Sequence, residues 1–288
     1  MIALHDTVKT EFVEVSGRRI AYRTFGSDTT KRPLVLMQHY FGNMDHWDPS
    51  VTNGFAHDRQ VVIFDYQGVG FSEGESPSSV EDFATTTADF IRALGFNKVD
   101  LLGFSLGGMI AQELCLRKCA FISKVILLST GPRGGEGMEF AELDGGRPPS
   151  SEKDILFAFF APSESSQQAG RDYIGRTKLR SVDRDLLPSN TVAENQLIAI
   201  RDWGRQTLNE RYADLGRIEQ PTLVVAGLRD TVLPATNSFI LANRIPNAHL
   251  IAYPDSGHGA YAQFHELFLH QTKLFLDEGQ RNGSFSLP

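Results

Sequence analysis

The sequence predicts an α/β fold: a mostly parallel, eight-stranded sheet flanked by helices, with a helical lid inserted after the sixth strand. Three observations carry this expectation. Six short apolar runs, at residues 34–37, 61–64, 99–102, 125–128, 223–225 and 249–253, are separated by helical patterns. Strands apolar along their whole length are covered on both faces, as in a parallel sheet with helices on each side. Ahead of them, residues 12–15 and 20–25 alternate and are joined by Ser16-Gly17, the composition of an antiparallel hairpin at a sheet edge. Between Leu128 and Leu223 no clear strand appears, only helical stretches, which marks an insertion.

Taken in order, the elements have local reasons. A helix over 80–94 has Ser78 and Ser79 as candidate caps, Glu81 and Asp82 in its first turn and Gly95 at its end; Val80, Phe83, Phe90, Ile91 and Leu94 form its apolar stripe. Residues 99–102 make a compact β-prone run, and after it Met109, Ile110, Leu114 and Leu116 recur at helical spacing through Lys118. The insertion opens with residues 131–149, dense in glycine and proline, the composition of a mobile connection or hinge. Helices follow at 151–160, where Ser151 and Asp154 are spaced as a variant capping box, and at 167–180 and 191–203. A last helix spans 261–276. The division is a core of residues 1–130 and 220–288 carrying a cap at 131–219.

Composition narrows the function classes. The 288 residues include 41% apolar and 22% charged side chains, ordinary for a globular chain able to bury a large core. A net charge of -7 without a long basic run argues against nucleic acid or an anionic membrane as the main partner. Cys115 and Cys119 are too few for a disulfide framework or a structural zinc site and read as packed thiols. His5, Asp6 and Lys9 interrupt the stretch where a secretory signal needs apolar residues, and no segment reaches transmembrane length, so a cytoplasmic location is expected. Asn282-Gly283-Ser284 fits the glycosylation pattern, but nothing else suggests secretion.

The chemistry centres on Gly103-Phe104-Ser105-Leu106-Gly107, between the 99–102 strand and the following helix. A serine at the apex of a strand–turn–helix is held in a strained conformation that lifts its hydroxyl from the sheet, with glycines where neighbours leave no room for a Cβ. A serine hydroxyl needs a base and a third group that fixes the base's tautomer. His258, in Ser256-Gly257-His258-Gly259 after the last strand, and Asp230, in Gly227-Leu228-Arg229-Asp230 after the strand from Leu223, both follow strand ends, where sites of open α/β sheets assemble. The rival acid, Asp255, lies three residues before His258 and reads as a turn residue. Two backbone N–H groups are expected to hold a developing oxyanion: that of Leu106, and one from the 38–43 loop, with Phe41 the choice and Tyr40 and Gly42 its neighbours in register. Tyr40, Phe104, Phe157 and Phe160 are the candidate substrate contacts. Leu156, Phe157, Phe159 and Phe160 together carry more apolar surface than one helix stripe needs, to be divided between the core and a pocket.

On these residues the chain resembles the α/β-hydrolase family over nearly its whole length, and most closely its lidded esterase, haloperoxidase-like perhydrolase and enol-lactonase groups. Beyond 103–107, Asp65-Tyr66-Gln67-Gly68-Val69-Gly70-Phe71-Ser72 is similar to the family's D-x-R-G-x-G-x-S turn, with Gln67 where Arg is usual, and His39-Tyr40-Phe41 to its His-Gly-x oxyanion loop, with Tyr40 in place of glycine. By resemblance Asp65 is structural. His265-Glu266 and His270 miss the zincin spacing by one residue, which turns the second His about 140° away on a helix. Gly68 and Gly70 lack a third glycine at dinucleotide spacing, so no metal and no cofactor is expected.

The expected function is a cofactor-independent serine hydrolase acting on a small, apolar carboxylic ester or lactone through an acyl-enzyme. A perhydrolase or a C–C bond hydrolase would use the same three residues. A cofactor-free oxygenase would rely on His258 and Asp230 alone, and a ligand-binding receptor would keep the triad with slow turnover. Oligomeric state is left open.

Overall fold

The computed structural model of the chain describes residues 4–26, 28–138, 151–205 and 211–278. Its strands are β1 (Glu11–Val15), β2 (Arg18–Phe25), β3 (Leu34–Met37), β4 (Val61–Phe64), β5 (Val99–Phe104), β6 (Ile122–Leu128), β7 (Thr222–Gly227) and β8 (Ala248–Tyr253). They form one sheet in the order β1-β2-β4-β3-β5-β6-β7-β8. β1 pairs antiparallel with β2 and β2 antiparallel with β4, and every other pairing is parallel. The β3, β4 and β5 residues are all buried, as their continuous apolar runs require.

Alternate side chains of each strand feed two cores. Val35, Met37, Val62, Phe64, Leu101 and Leu127 pack with α2 (Val80–Ala93), α3 (Leu106–Leu116) and α6 (Asn190–Gly204) on one face. Leu34, Leu36, Ile63, Phe104 and Leu128 pack on the other with α1 (Pro49–Ala56), α4 (Glu152–Phe159), α5 (Glu164–Thr177) and the C-terminal helices. The period of two in a strand makes this division automatic.

Three features depart from the expected elements. The helix α1, capped by Asp48 with Pro49 at its first position, was not expected, because Thr52, Asn53 and Gly54 break its apolar pattern. α7 (Thr236–Arg244) follows Asp230 and was also unmarked. The last helix is two, α8 (Ala260–Gln263) and α9 (His265–Asp277), broken at Phe264, whose ring stacks on Tyr253 with centroids 5.0 Å apart.

The helices α4, α5 and α6 lie between β6 and β7, near the expected bounds. The glycine-rich entry is pinned over its described part: Gly131 O accepts from Gln112 Nε2 and Trp203 Nε1, and Asn237 bonds Glu136 at both its N–H and its carbonyl. Buried carbonyls recruit such partners whatever the residue type. The rest of that stretch, residues 139–149, and the glycosylation pattern at Asn282 lie outside the described residues. Among the described residues no helix is long and apolar enough to cross a membrane.

A buried charge cluster ties the insertion to the sheet. Arg23 Nη1 donates to Asp45 Oδ1 at 2.6 Å and its Nη2 to Asp185 Oδ2 at 2.8 Å, while Asp185 N–H donates to Asp45 Oδ2. Asp65, which opens the 65–72 turn, accepts from Met44 N–H through Oδ1. Its Oδ2 and Asp185 Oδ1 have no other partner, and both lie beside Gly70. Three carboxyl groups therefore face two guanidiniums, Arg23 and Arg180, with His5 held neutral by burial and its pKa near 3. Burial, then the neighbouring Asp185, push the Asp65 carboxyl well above the usual range, and burial raises Asp185 to about 6. One proton between Asp65 Oδ2 and Asp185 Oδ1 satisfies both oxygens.

Because both folded-state pKa values are raised, the stability linked to this pair is fully present below the ordinary carboxylate pKa near 4. It is lost as pH rises through about 6 and beyond. Asp65→Asn keeps the acceptor for Met44 and replaces the shared proton with an amide N–H. Its Tm should therefore fall less between pH 4 and pH 8 than that of the wild type. Parallel Tm curves for the two proteins would contradict the shared proton.

Candidate active site

Ser105 sits between β5 and α3 with φ 54° and ψ -114°, a conformation that strains a non-glycine residue by about 1–3 kcal/mol. The turn persists because its surroundings determine it. A Cβ on Gly103 would lie 2.3 Å from Gly107 O, and a Cβ on Gly107 would lie 2.1 Å from Met37 O. Ser105 N–H donates to Leu128 O at 2.9 Å, and its carbonyl accepts from Thr130 Oγ1 at 2.7 Å and from Gly108 N–H. The serine is 5% exposed, at the C-terminal edge of the sheet.

Asp230 follows β7. Its Oδ1 accepts from Val232 and Leu233 N–H, both at 2.9 Å, and its Oδ2 lies 2.7 Å from His258 Nδ1. A carboxylate only accepts, so Nδ1 carries a proton, and in the neutral imidazole Nε2 is the nitrogen with the lone pair. The His258 ring packs 5.0 Å from that of Phe104, the residue before Ser105. The glycines beside His258 admit the end of α4: Gly259 N–H donates to Phe159 O at 2.8 Å, and a Cβ on Gly257 would lie 2.8 Å from the same oxygen. Asp255, with φ 47°, faces away, and its Oδ2 accepts from Ser163 and Ser165 hydroxyls of the insertion.

Leu106 opens α3, so its N–H is one of the helix's orphan donors, at the positive end of the helix dipole. Phe41 stands at φ 59° in the loop after β3, and its N–H donates to Gln196 Oε1 of α6 at 2.7 Å. In the same loop His39 Nδ1 donates to Tyr40 O at 2.7 Å. Burial, reinforced by His46, holds the His39 pKa well below its ordinary value, and burial takes His46 to about 4. Both rings are neutral near pH 7.

A cavity of about 40 Å³ adjoins the loop, lined by His39, Phe41 and His46 from the core and by Ile155, Phe159, Tyr173 and Leu187 from the insertion. The four expected substrate contacts take different places in the structure. Phe157 is 81% exposed, on the outer side of α4, whereas Phe159 is 7% exposed and packs edge-on against both His39 and His258. Phe160 is buried against Tyr173 in the core and lies outside the lining. Phe104 is fully buried beneath His39 and His258. Tyr40 turns its ring into the core, where burial raises its hydroxyl to about 12. Gln196 was not foreseen, although a glutamine on the Val192, Ala193, Leu197, Ile200 stripe is a polar residue at a buried position.

This sheet order, with a strained serine between β5 and α3, is the architecture of an α/β-hydrolase. The chain belongs to the alpha/beta hydrolase family, whose model matches residues 37–270. It is similar to a proline iminopeptidase, PfmaB, of Pestalotiopsis fici, at 27% identity over 93% of this chain and 99% of that one. Among solved structures it is similar to an alpha/beta hydrolase fold protein from Chitinophaga pinensis, with TM-score 0.90 and 38% identity over 96% of this chain and all of that one. An enol-lactonase from Burkholderia xenovorans shares the fold, with TM-score 0.72 and 19% identity over 93% and 100% of the two chains.

The contrast between neighbouring aromatics is measurable. Phe159→Ala should destabilise the protein by about 3–5 kcal/mol in urea unfolding, and Phe157→Ala should stay within about 0.5 kcal/mol of wild type. Equal losses would show that α4 packs in a different phase.

Proposed function

We propose that the protein is a serine hydrolase that cleaves a small, uncharged carboxylic ester or lactone through an acyl-enzyme on Ser105. The observation that carries this reading is the 2.7 Å contact of His258 Nδ1 with Asp230 Oδ2, the His258 ring packing against Phe104, the residue before a serine held at φ 54°. The Ser105 proton passes to His258 Nε2 as Oγ bonds the acyl carbon. Asp230 stabilises the resulting imidazolium, and its two backbone donors keep the carboxylate oriented. The oxyanion forms at the N-terminus of α3, held by Leu106 N–H and by Phe41 N–H once that group is free.

His258 then gives the proton to the departing alkoxide as the C–O bond breaks; in a lactone, the new hydroxyl stays on the acyl chain. Water, deprotonated by the same nitrogen, attacks the acyl-enzyme and releases the acid. His39 and His46 are neutral, and the cavity's other linings are largely apolar, which disfavours a charged acyl group. The cavity is small, about 40 Å³, and α4 and α5 supply part of its wall, which supports a reading of the insertion as a lid that shifts when an acyl chain enters.

An alkyl fluorophosphonate should label the wild type once per chain, at Ser105, and leave Ser105→Ala unlabelled. A folded wild type that stays unlabelled would overturn the reading. Asp230→Asn reverses the tautomer preference of His258 and should lower kcat on the order of 10⁴-fold, whereas Asp255→Asn should change it by about threefold or less. A large loss in Asp255→Asn instead would move the acid to the His258 loop.

A further inference from the structure

Gln196 carries an unusual combination of contacts. It is fully buried on α6, its Oε1 accepts the Phe41 N–H at 2.7 Å, and its Nε2 has no partner among the described residues. The oxygen and nitrogen of this carboxamide are assigned by chemistry, because only the oxygen accepts from an amide N–H. A glutamine satisfied at both ends would be a brace for the loop. One bonded by its oxygen alone, with its donor end buried and unpaired, is held by that single bond and is readily exchanged for another acceptor.

The acceptor has the same chemistry as a substrate carbonyl. We propose that Gln196 is a resident competitor for the Phe41 donor: its carboxamide oxygen takes the N–H that the carbonyl oxygen of an ester or lactone would use, and catalysis requires that bond to be exchanged. This rests on the assignment of Ser105, Leu106 and Phe41 proposed above. A carbonyl or phosphoryl oxygen replaces the N–H···O bond at Phe41 with another, so the cost of exchange is that of freeing the Gln196 carboxamide. A ligand without an acceptor oxygen displaces Gln196 only by leaving the Phe41 N–H buried and unpaired, so the residue selects for acyl-type substrates and lowers kcat/KM for all of them. It also couples substrate entry to α6, the helix that carries it.

Two near-isosteric variants separate a competitor from a brace. Gln196→Met removes the acceptor, and Gln196→Glu puts an anionic acceptor on the same N–H and repels an incoming oxyanion. The second-order rate of Ser105 labelling by an alkyl fluorophosphonate, whose phosphoryl oxygen takes the oxyanion position, reads both without a known substrate. Gln196→Met should label about fivefold faster than wild type, with Gln196→Leu as an independent apolar replacement. Gln196→Glu should label about tenfold slower at pH 8, and its rate relative to wild type should recover as pH falls towards 5 and the carboxylate gains a proton. Slower labelling in Met and Leu variants, or a Glu variant without that pH-dependent recovery, would make Gln196 a brace and overturn the proposal. An unlabelled wild type would instead overturn the serine hydrolase reading, and this inference with it.

Discussion

A serine backbone forced to φ 54° between a buried strand and a helix is the constraint on which the rest of this molecule depends. The conformation exists because α3 starts so close to β5 and to β3 that Gly103, against Gly107, and Gly107, against Met37, have no space for a side chain, and because Leu128 O and Thr130 Oγ1 hold the peptide groups of Ser105. β3 and β6, which flank β5, are buried over nearly their whole length. The turn also places the first N–H groups of α3, and the dipole behind them, beside the hydroxyl. Packing in the sheet and electrostatics at its edge are two results of one turn.

The insertion reaches the edge of the sheet at several separate points. Phe159 O receives Gly259 N–H beside His258, Ser163 ties down Asp255 in the same loop, Gln196 takes the N–H of Phe41, and Asp185 joins Arg23 and Asp65 under the 65–72 turn. Each is a polar contact between the insertion and a loop at or below the proposed site. Movement of α4–α6 therefore cannot leave the proposed base and oxyanion loop untouched. The shared carboxyl proton at Asp185 makes one of these ties dependent on pH, and the single bond at Gln196 makes another dependent on what enters the site.

Much of this was legible in the sequence for physical reasons. Ser105 stood out because glycines flank it between an apolar run and a helix, and Asp230 and His258 because each follows a strand end. The strands could be read because continuous apolar runs are unambiguous when both faces are buried. Other features could not be read from local pattern. Residues 155–160 are almost uniformly apolar, so helix phase was undetermined and Phe157 could not be told from Phe159; the packing of the α4 end against Gly257 and Gly259 settles it. The bond of Gln196 to Phe41 and that of Arg23 to Asp185 join residues 155 and 162 positions apart, beyond any local signal. The end of α4, the break at Phe264 and the pinned 131–138 segment likewise come from tertiary partners rather than propensity.

The central proposal is that the lone pair His258 keeps on Nε2 activates Ser105 for acyl transfer. A slowly deacylating p-nitrophenyl ester tests it most directly, in rapid-mixing experiments that follow the nitrophenolate and the intact protein mass together. The account predicts a burst of one equivalent of nitrophenolate per chain and an acyl adduct on the peptide carrying Ser105, both absent in Ser105→Ala. Ester turnover without a burst or an adduct, and retained in Ser105→Ala, would contradict it.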